Sequence, residues 1–113
     1  MSHQERNIIN SAIREQQRVV QANYAIELFD SQIFCNTDDH DIIIYLPYVS
    51  LQVGRKYTIK NIGRNNYKVY ITSQSTNETI DWLTTPYELI DDQAIDISCA
   101  LLPGEDQGRW WLS

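Results

Sequence analysis

The segment Asp38-Asp39-His40-Asp41 holds the residue types in this chain that could most readily do chemistry. Three carboxylates and an imidazole at adjacent positions are ligand types that divalent cations bind. A metal site would also need a backbone carbonyl and a close turn, whereas the same residues in solvent make an ordinary polar turn before the apolar run that follows. We favour the solvated turn and predict neither a metal site nor a cofactor.

Catalytic groups are hard to assemble from the rest of the sequence. Cys35 and Cys99 have no histidine near them in sequence, so a thiol nucleophile would need a partner brought in by the fold. Glu88, Asp91 and Asp92 are residue types of a glycosidase pair, but adjacent residues at a strand end face different ways, which favours a polar turn. The sequence has no glycine-rich phosphate loop, nucleophile elbow or zinc-ligand spacing. It predicts a protein that is not an enzyme and has no catalytic residues.

The distribution of charge points to a binding surface. The formal net charge is −6, yet residues 42–77 contain no Asp or Glu. An acidic chain with one basic window favours contact with a complementary acidic protein surface over nucleic-acid binding, which needs a basic domain. The alternative is a solvated positive face. The cations of the window are Arg55, Lys56, Lys60, Arg64 and Lys68.

Aromatic residues provide a second candidate surface. Tyrosine and tryptophan rings on neighbouring strands could form a platform on which sugar rings stack. In a β protein, aromatic residues at alternating positions more often fill the core or a subunit interface, so both interpretations stay open. The residues concerned are Tyr45, Tyr48, Tyr67, Tyr70, Trp82 and Tyr87.

The elements that would position these groups are mostly strands. Residues 42–46 form a short apolar run with three consecutive isoleucines, which is typical of a buried strand. Residues 57–62 alternate, with Tyr57, Ile59 and Asn61 on one face. About nine such short segments, with turn residues every 8 to 12 positions, predict a mainly β fold: an antiparallel β-sandwich or small barrel. Trp110 and Trp111 indicate that the last strand is held in the core.

The first 22 residues follow a different pattern. They contain no Gly or Pro, and Ser2 with Glu5 has the spacing of a capping box, so we predict a helix over about residues 3–21. Ile9, Ile13 and Val20 fit heptad positions of a short coiled coil. Because an isolated helix of this length is marginal in water, it needs a partner. It would pack on its own sheet, or it would dock on another subunit or bundle with its own copies. The expected division is a helical anchor over residues 1–22 and a β domain over residues 23–113.

The bulk properties fit a single domain. At 113 residues and 42% hydrophobic content, the chain can bury one core. Two cysteines in apolar strands indicate buried, reduced thiols. No apolar run approaches the roughly 20 residues of a membrane span, and the N-terminus has no signal-peptide pattern. We therefore expect a protein that is made in the cytoplasm and stays soluble there.

The order of several short motifs resembles a β-domain of tailed-bacteriophage virion proteins, found in tail fibres, receptor-binding proteins and capsid-surface proteins. The resemblance covers about residues 23–113, and it departs from the family at Trp82, where the usual residue is Gly. The family resemblance implies a trimer, and Trp82 could cover a surface that a neighbour buries. The motifs are LP at 46–47, GRKYTIKNIG at 54–63, VYIT at 69–72, ETID at 78–81, YEL at 87–89 and GRWW at 108–111.

The resemblance, with the charge pattern, implies a structural protein of the virion that is assembled in the host cytoplasm. We expect a trimeric capsid decoration or cement protein that bridges neighbouring capsid subunits through its N-terminal helix and basic face. The alternative is a module of the tail fibre or tail tip that recognises a glycan on the host surface. The residues expected to contact a partner are Ile9, Ile13, Val20, Arg55, Lys56, Lys60, Arg64 and Trp82.

Overall fold

Two β-sheets enclose the core. A computed structural model of the chain describes residues 16–27, 29–48, 54–74, 79–81, 86–100 and 109–112, and these ranges hold nine strands and no helix. The strands are β1 (Gln16–Val20), β2 (Tyr24–Ala25), β3 (Asp30–Cys35), β4 (Ile42–Leu46), β5 (Lys56–Asn61), β6 (Val69–Ser73), β7 (Tyr87–Leu89), β8 (Ala94–Ala100) and β9 (Arg109–Leu112).

The chain winds back and forth between the two sheets. The five-stranded sheet has the order β1-β3-β5-β8-β9, and the four-stranded sheet has the order β2-β4-β6-β7. From β1 to β6 successive strands lie in alternate sheets, so each strand pairs with the one two places further along. These four pairs, β1/β3, β2/β4, β3/β5 and β4/β6, are parallel. The pairs β5/β8, β6/β7 and β8/β9 are antiparallel.

The prediction that the strands are all antiparallel is therefore wrong, although the described part is mainly β and its two sheets face each other across the core. A hairpin requires two consecutive strands in the same sheet. Here each connection up to β6 crosses to the opposite sheet, and the chain returns to the first sheet running in its original direction. Alternation of apolar residues looks the same in either case, so it does not reveal the direction of the neighbouring strand.

The prediction of an N-terminal helix is also wrong where it can be compared. Residues 16–20 form β1, which pairs in parallel with β3 from Gln17↔Gln32 to Val20↔Cys35. Residues 1–15 lie outside the described ranges. Val19 and Val20 are β-branched, and the ladder along β3 supplies hydrogen bonds and packing that an isolated helix of this length would lack. The β structure thus begins before residue 23 and includes part of the expected anchor.

The core lies between the sheets and forms one cluster. Ile33, Ile59 and Ile97 from the five-stranded sheet meet Ile44 and Ile71 from the four-stranded sheet, and all five are fully buried. The prediction that the last strand is held in the core is confirmed by Trp110, the second residue of β9. Trp110 is fully buried, and the centroid of its ring lies 5.9 Å from that of Tyr57.

Asn61, at the end of β5, is a buried polar residue whose amide is fully hydrogen-bonded. Its Nδ2 donates to the carbonyl oxygens of Tyr67 (3.0 Å) and Leu89 (3.2 Å). Its Oδ1 accepts from Thr37 Oγ1 (2.7 Å) and from the backbone N–H of Gly63 (2.9 Å). A primary amide has two donor hydrogens and two acceptor lone pairs, and all are used here. One side chain thus joins the loops after β3 and β5 to strand β7.

The approach of Thr37 to Asn61 requires a glycine at position 63. A Cβ built on Gly63 would lie 2.0 Å from Thr37 Oγ1 and 3.2 Å from Asn61 Oδ1. Any side chain there would push Thr37 out of the fully buried position from which it donates to Asn61.

Asp30, at the start of β3, is a second buried polar group. Its carboxylate accepts from Arg18 Nε (2.7 Å), from the Tyr24 hydroxyl and from the backbone N–H of Glu27 (2.8 Å). Burial raises the pKa of Tyr24 most, and the hydrogen bond to Asp30 raises it further. The phenol therefore stays protonated and can donate. Arg55 Nη2 donates to the Asp30 carbonyl oxygen (2.8 Å). This cluster ties β1, β2 and β3 together.

We expect Asn61→Asp to destabilise the fold by about 3 kcal/mol or more. The carboxylate has the shape of the amide but donates nothing, so the carbonyls of Tyr67 and Leu89 lose their donor and a charge is buried. Urea unfolding at pH 7 measures the loss. Asn36→Asp is the control for the added charge, because Asn36 Oδ1 accepts the Asp38 N–H and a carboxylate oxygen can do the same. A loss at Asn61 no larger than at Asn36 would contradict the role given to the amide.

Candidate binding surface

Strand β5 places two of the basic residues on the outer face of the five-stranded sheet. Along the strand, Tyr57 and Ile59 are fully buried, while Lys56 is exposed and Thr58 and Lys60 are half-buried. Because successive side chains of a strand point to opposite faces, Lys56 and Lys60 share the outer face with Thr58. The alternation predicted from the sequence for this segment is confirmed.

Register places an apolar and cationic row across this face, which we call the outer row. Val19 of β1 pairs with Phe34 of β3, Phe34 with Lys60 of β5, and Lys60 with Ala94 of β8. Val19 is 67% exposed and Phe34 is half-buried. A valine this exposed beside a phenylalanine on a sheet surface is an apolar feature available to a partner.

The neighbouring row is polar, and its members bind one another. Gln17 Nε2 donates to Gln32 Oε1 (2.7 Å), and Thr58 Oγ1 donates to Asp96 Oδ1 (2.6 Å). Lys56 Nζ lies 3.2 Å from Asp96 Oδ2. The hydrogen bond from Thr58 has the largest effect on the pKa of Asp96, and the one from Lys56 adds to it. Together they hold this pKa below its ordinary value.

Three further cations of the basic window bind groups of their own chain. The Arg55 guanidinium lies 5.5 Å from the centre of the Tyr57 ring, in addition to its bond to Asp30. Arg64 Nη2 lies 3.2 Å from Asp38 Oδ2, and Lys68 Nζ lies 2.9 Å from Glu88 Oε1. The acidic segments on either side of the window in sequence therefore supply its counter-charges in the fold.

Lys60 is different: among the described residues it has no ion-pair partner. It sits in the centre of the outer row, between Phe34 and Ala94. Lys56 lies on the same face but is paired with Asp96, whereas Arg64 lies in the loop after β5 and Arg55 packs on Tyr57. Of the four cations proposed to contact a partner, the structure brings only Lys56 and Lys60 onto one face.

The apolar residues proposed for partner contact are distributed differently. Val20 packs against the core and pairs with Cys35. Ile9, Ile13 and Trp82 lie outside the described residues. Sequence reasoning missed Val19 and Phe34. Val19 lies in the segment predicted to be helical, and the period-two alternation of β3, with Ile33 and Cys35 inward, was the signal for an outward Phe34.

The tyrosines proposed as a platform divide into three groups. Tyr45 and Tyr70 are half-buried and lie on the outer face of the four-stranded sheet, because their strand neighbours Ile44 and Ile71 point into the core. Tyr87 packs against the core. Tyr48 and Tyr67 are exposed outside the strands, and Trp82 is not among the described residues. Among the five described tyrosines, only Tyr45 and Tyr70 thus share the outer face of a sheet.

The acidic loop before β4 carries structural roles. Asp38 Oδ1 accepts the backbone N–H of Arg64 (3.0 Å), and Asp41 Oδ1 accepts the backbone N–H of Lys68 (2.7 Å). A polar hollow of about 310 Å³ lies beside it, lined by Gln21, Asn36, Asp38, Asp39 and His40. Within the described ranges, no group of three or more His, Cys, Asp or Glu residues is placed to hold a metal ion.

Both cysteines are buried and neither forms a disulfide, as predicted. Burial raises the pKa of Cys35 to about 12, so this thiol stays protonated at neutral pH and is a poor nucleophile.

Comparisons with known proteins give no relative: no protein-family model, curated protein or solved structure matches this chain. In the described part of the chain there is no helix of the length and apolarity that a membrane crossing requires.

We expect the carboxylate of Asp96 to stabilise the fold in a pH-dependent way. Its pKa is lower in the folded than in the unfolded state, so the stabilisation is present above the unfolded value of about 4 and is lost as the pH falls through the folded value. The difference in unfolding free energy between the unmodified protein and Asp96→Asn should shrink from pH 7 to pH 3 in urea titrations. Asp92→Asn, in an exposed turn, controls for the loss of one charge. A difference that does not change with pH would contradict this role.

Proposed function

We propose that this protein is a non-enzymatic structural component of a tailed-bacteriophage virion. In this role it is a capsid decoration or cement protein that contacts neighbouring capsid subunits through the outer face of its five-stranded sheet. The observation that carries the proposal is the outer row, in which Lys60 lies beside Phe34 and the exposed Val19 and has no ion-pair partner among the described residues. The phage assignment itself rests on the ordered sequence motifs.

The chemistry of the outer row suits an acidic protein surface with an apolar centre. Burial of Val19 and Phe34 would supply the apolar contact, and Lys60 would pair with a carboxylate of the partner. The cations already paired in the fold, Arg64 and Lys68, contribute less, because their partners Asp38 and Glu88 would have to be displaced. Binding to the assembled shell and not to free subunits would stabilise the particle by mass action.

The buried polar groups support a role without catalysis. The side chains of Asp30 and Asn61 form hydrogen bonds that hold strands and loops together. The Cys35 thiol is buried and protonated. We also propose that the protein is a homotrimer. It is assembled in the host cytoplasm and then resides in the virion.

We expect Lys60→Glu to weaken binding to particles by about tenfold, which corresponds to ~1.4 kcal/mol. The measurement uses particles of the virus that encodes this protein, after the protein has been removed from them. Purified protein is added back, and the fraction that sediments with the particles gives the affinity. Arg64→Glu is the control with the same charge change, since Arg64 lies off this face and its side chain is 83% exposed. Equal affinity of Lys60→Glu and the unmodified protein would show that Lys60 is not in the interface.

A second measurement is the copy number of the protein in purified particles. A copy number far below that of the major capsid protein would place the protein in the tail.

A second candidate function is recognition of a host-surface glycan by a tail protein. Tyr45 and Tyr70 lie on adjacent strands of one outer face, where Tyr45 pairs with Thr72 and Tyr70 with Glu88. Strand spacing and rise put their Cα atoms about 8 Å apart, a distance over which one oligosaccharide could contact both rings. The Glu88–Lys68 pair supplies polar groups beside them.

If this second function is correct, a glycan array should show binding that is lost in the Tyr45→Ala/Tyr70→Ala double variant. Removing both rings takes away the stacking surface and leaves the buried face of each strand unchanged. Tyr67→Ala is the control, because Tyr67 is exposed but lies outside the strands. Absence of binding by the unmodified protein, or equal loss in the control, would exclude this platform.

A further inference from the structure

Strand β1 forms one edge of the five-stranded sheet and leaves backbone groups open to a further strand. The carbonyl oxygen of Val20 accepts the N–H of Asn36, just after β3, at 2.9 Å. Since the backbone groups of a strand alternate between its two edges, those of Gln17 and Val19 point away from β3. In the described part of the chain no strand pairs with that edge.

The other sheet edges are shorter or covered. Along β9, Trp110 donates its N–H to Thr79 O (3.3 Å) and accepts the N–H of Asp81 (2.9 Å), so residues 79–81 occupy that edge. In the four-stranded sheet, the edge strands β2 and β7 have two and three residues. Strand β1 has five residues and carries the exposed Val19, and edges of this kind recruit further strands.

The β1 edge is a part of the surface where a second copy of this chain can approach with little like-charge repulsion. With a net charge of −6, two copies repel each other over much of their surface. Gln17 and Val19, which are exposed on β1, carry no charge, and Arg18 is bound to Asp30 and Glu27. The edge also presents both N–H donors and C=O acceptors, which makes it complementary to itself in an antiparallel arrangement.

We propose that two copies pair antiparallel along β1 about a two-fold axis at Arg18. Gln17 of each copy then lies opposite Val19 of the other, and these two residues exchange about four backbone hydrogen bonds across the axis. The two five-stranded sheets become one continuous sheet, and the outer row of each copy meets the polar row of the other, because Val19 lies opposite Gln17. The contact is independent of the proposed function: it joins two single chains or, if the chain forms trimers, two trimers.

Light scattering of the full chain over a range of concentrations tests the pairing. The unmodified protein should reach the mass of two chains, or of two trimers, and Val19→Lys should halve that mass because a charge enters the paired edge. Ile90→Lys is the control, since Ile90 is 53% exposed and follows β7. A mass of a single chain or a single trimer at the highest concentration would overturn the proposal, as would an unchanged mass for Val19→Lys.

Disulfide trapping tests the antiparallel register and does not depend on how well the lysine variant folds. Gln17→Cys and Val19→Cys are made as separate proteins, and the native thiols are buried. Under mild oxidation, a mixture of the two should cross-link faster than either variant alone, because position 17 faces position 19 of the other copy. Cross-linking that is no faster in the mixture would overturn the register and with it the proposed axis.

Discussion

The amide of Asn61 makes four hydrogen bonds inside the core, and the arrangement of the loops at that end of the molecule depends on them. A buried amide is costly unless each of its polar atoms is paired, so Thr37, Gly63, Tyr67 and Leu89 must occupy their observed positions together. The backbone of Asn61 also bonds the turn between β7 and β8. One residue thereby fixes how the parallel strands join the antiparallel ones.

Most positive charges in the described part of the chain form ion pairs within the molecule. The sequence separates a basic window from acidic flanks, and the fold brings them together as Lys56 with Asp96, Arg64 with Asp38 and Lys68 with Glu88. Exposed pairs of this kind contribute little stability each, but within the described ranges they leave few positive charges for a partner. This is why the proposed surface rests on Lys60 and on the apolar side chains beside it.

The outer row also explains why the candidate site was only partly predictable. Lys56 and Lys60 could be placed on one face from the alternation of β5, because a strand has a fixed period of two. Val19 and Phe34 could not be added to that face, since their proximity depends on β1 and β3 lying beside β5 in parallel. The pairing of Arg64 with Asp38 likewise joins residues 26 positions apart.

The sequence by itself determined the mainly β character of the described chain, the inward positions of β5, and the burial of Cys35, Cys99 and Trp110. Each follows from local alternation and from the free energy of burying apolar groups. Only the tertiary structure decided that residues 16–20 are a strand and that the first six strands pair in parallel. Local patterns fix which face of a segment is buried, whereas direction and partner depend on contacts between distant segments, and the ladder with β3 outweighs a weak preference for helix.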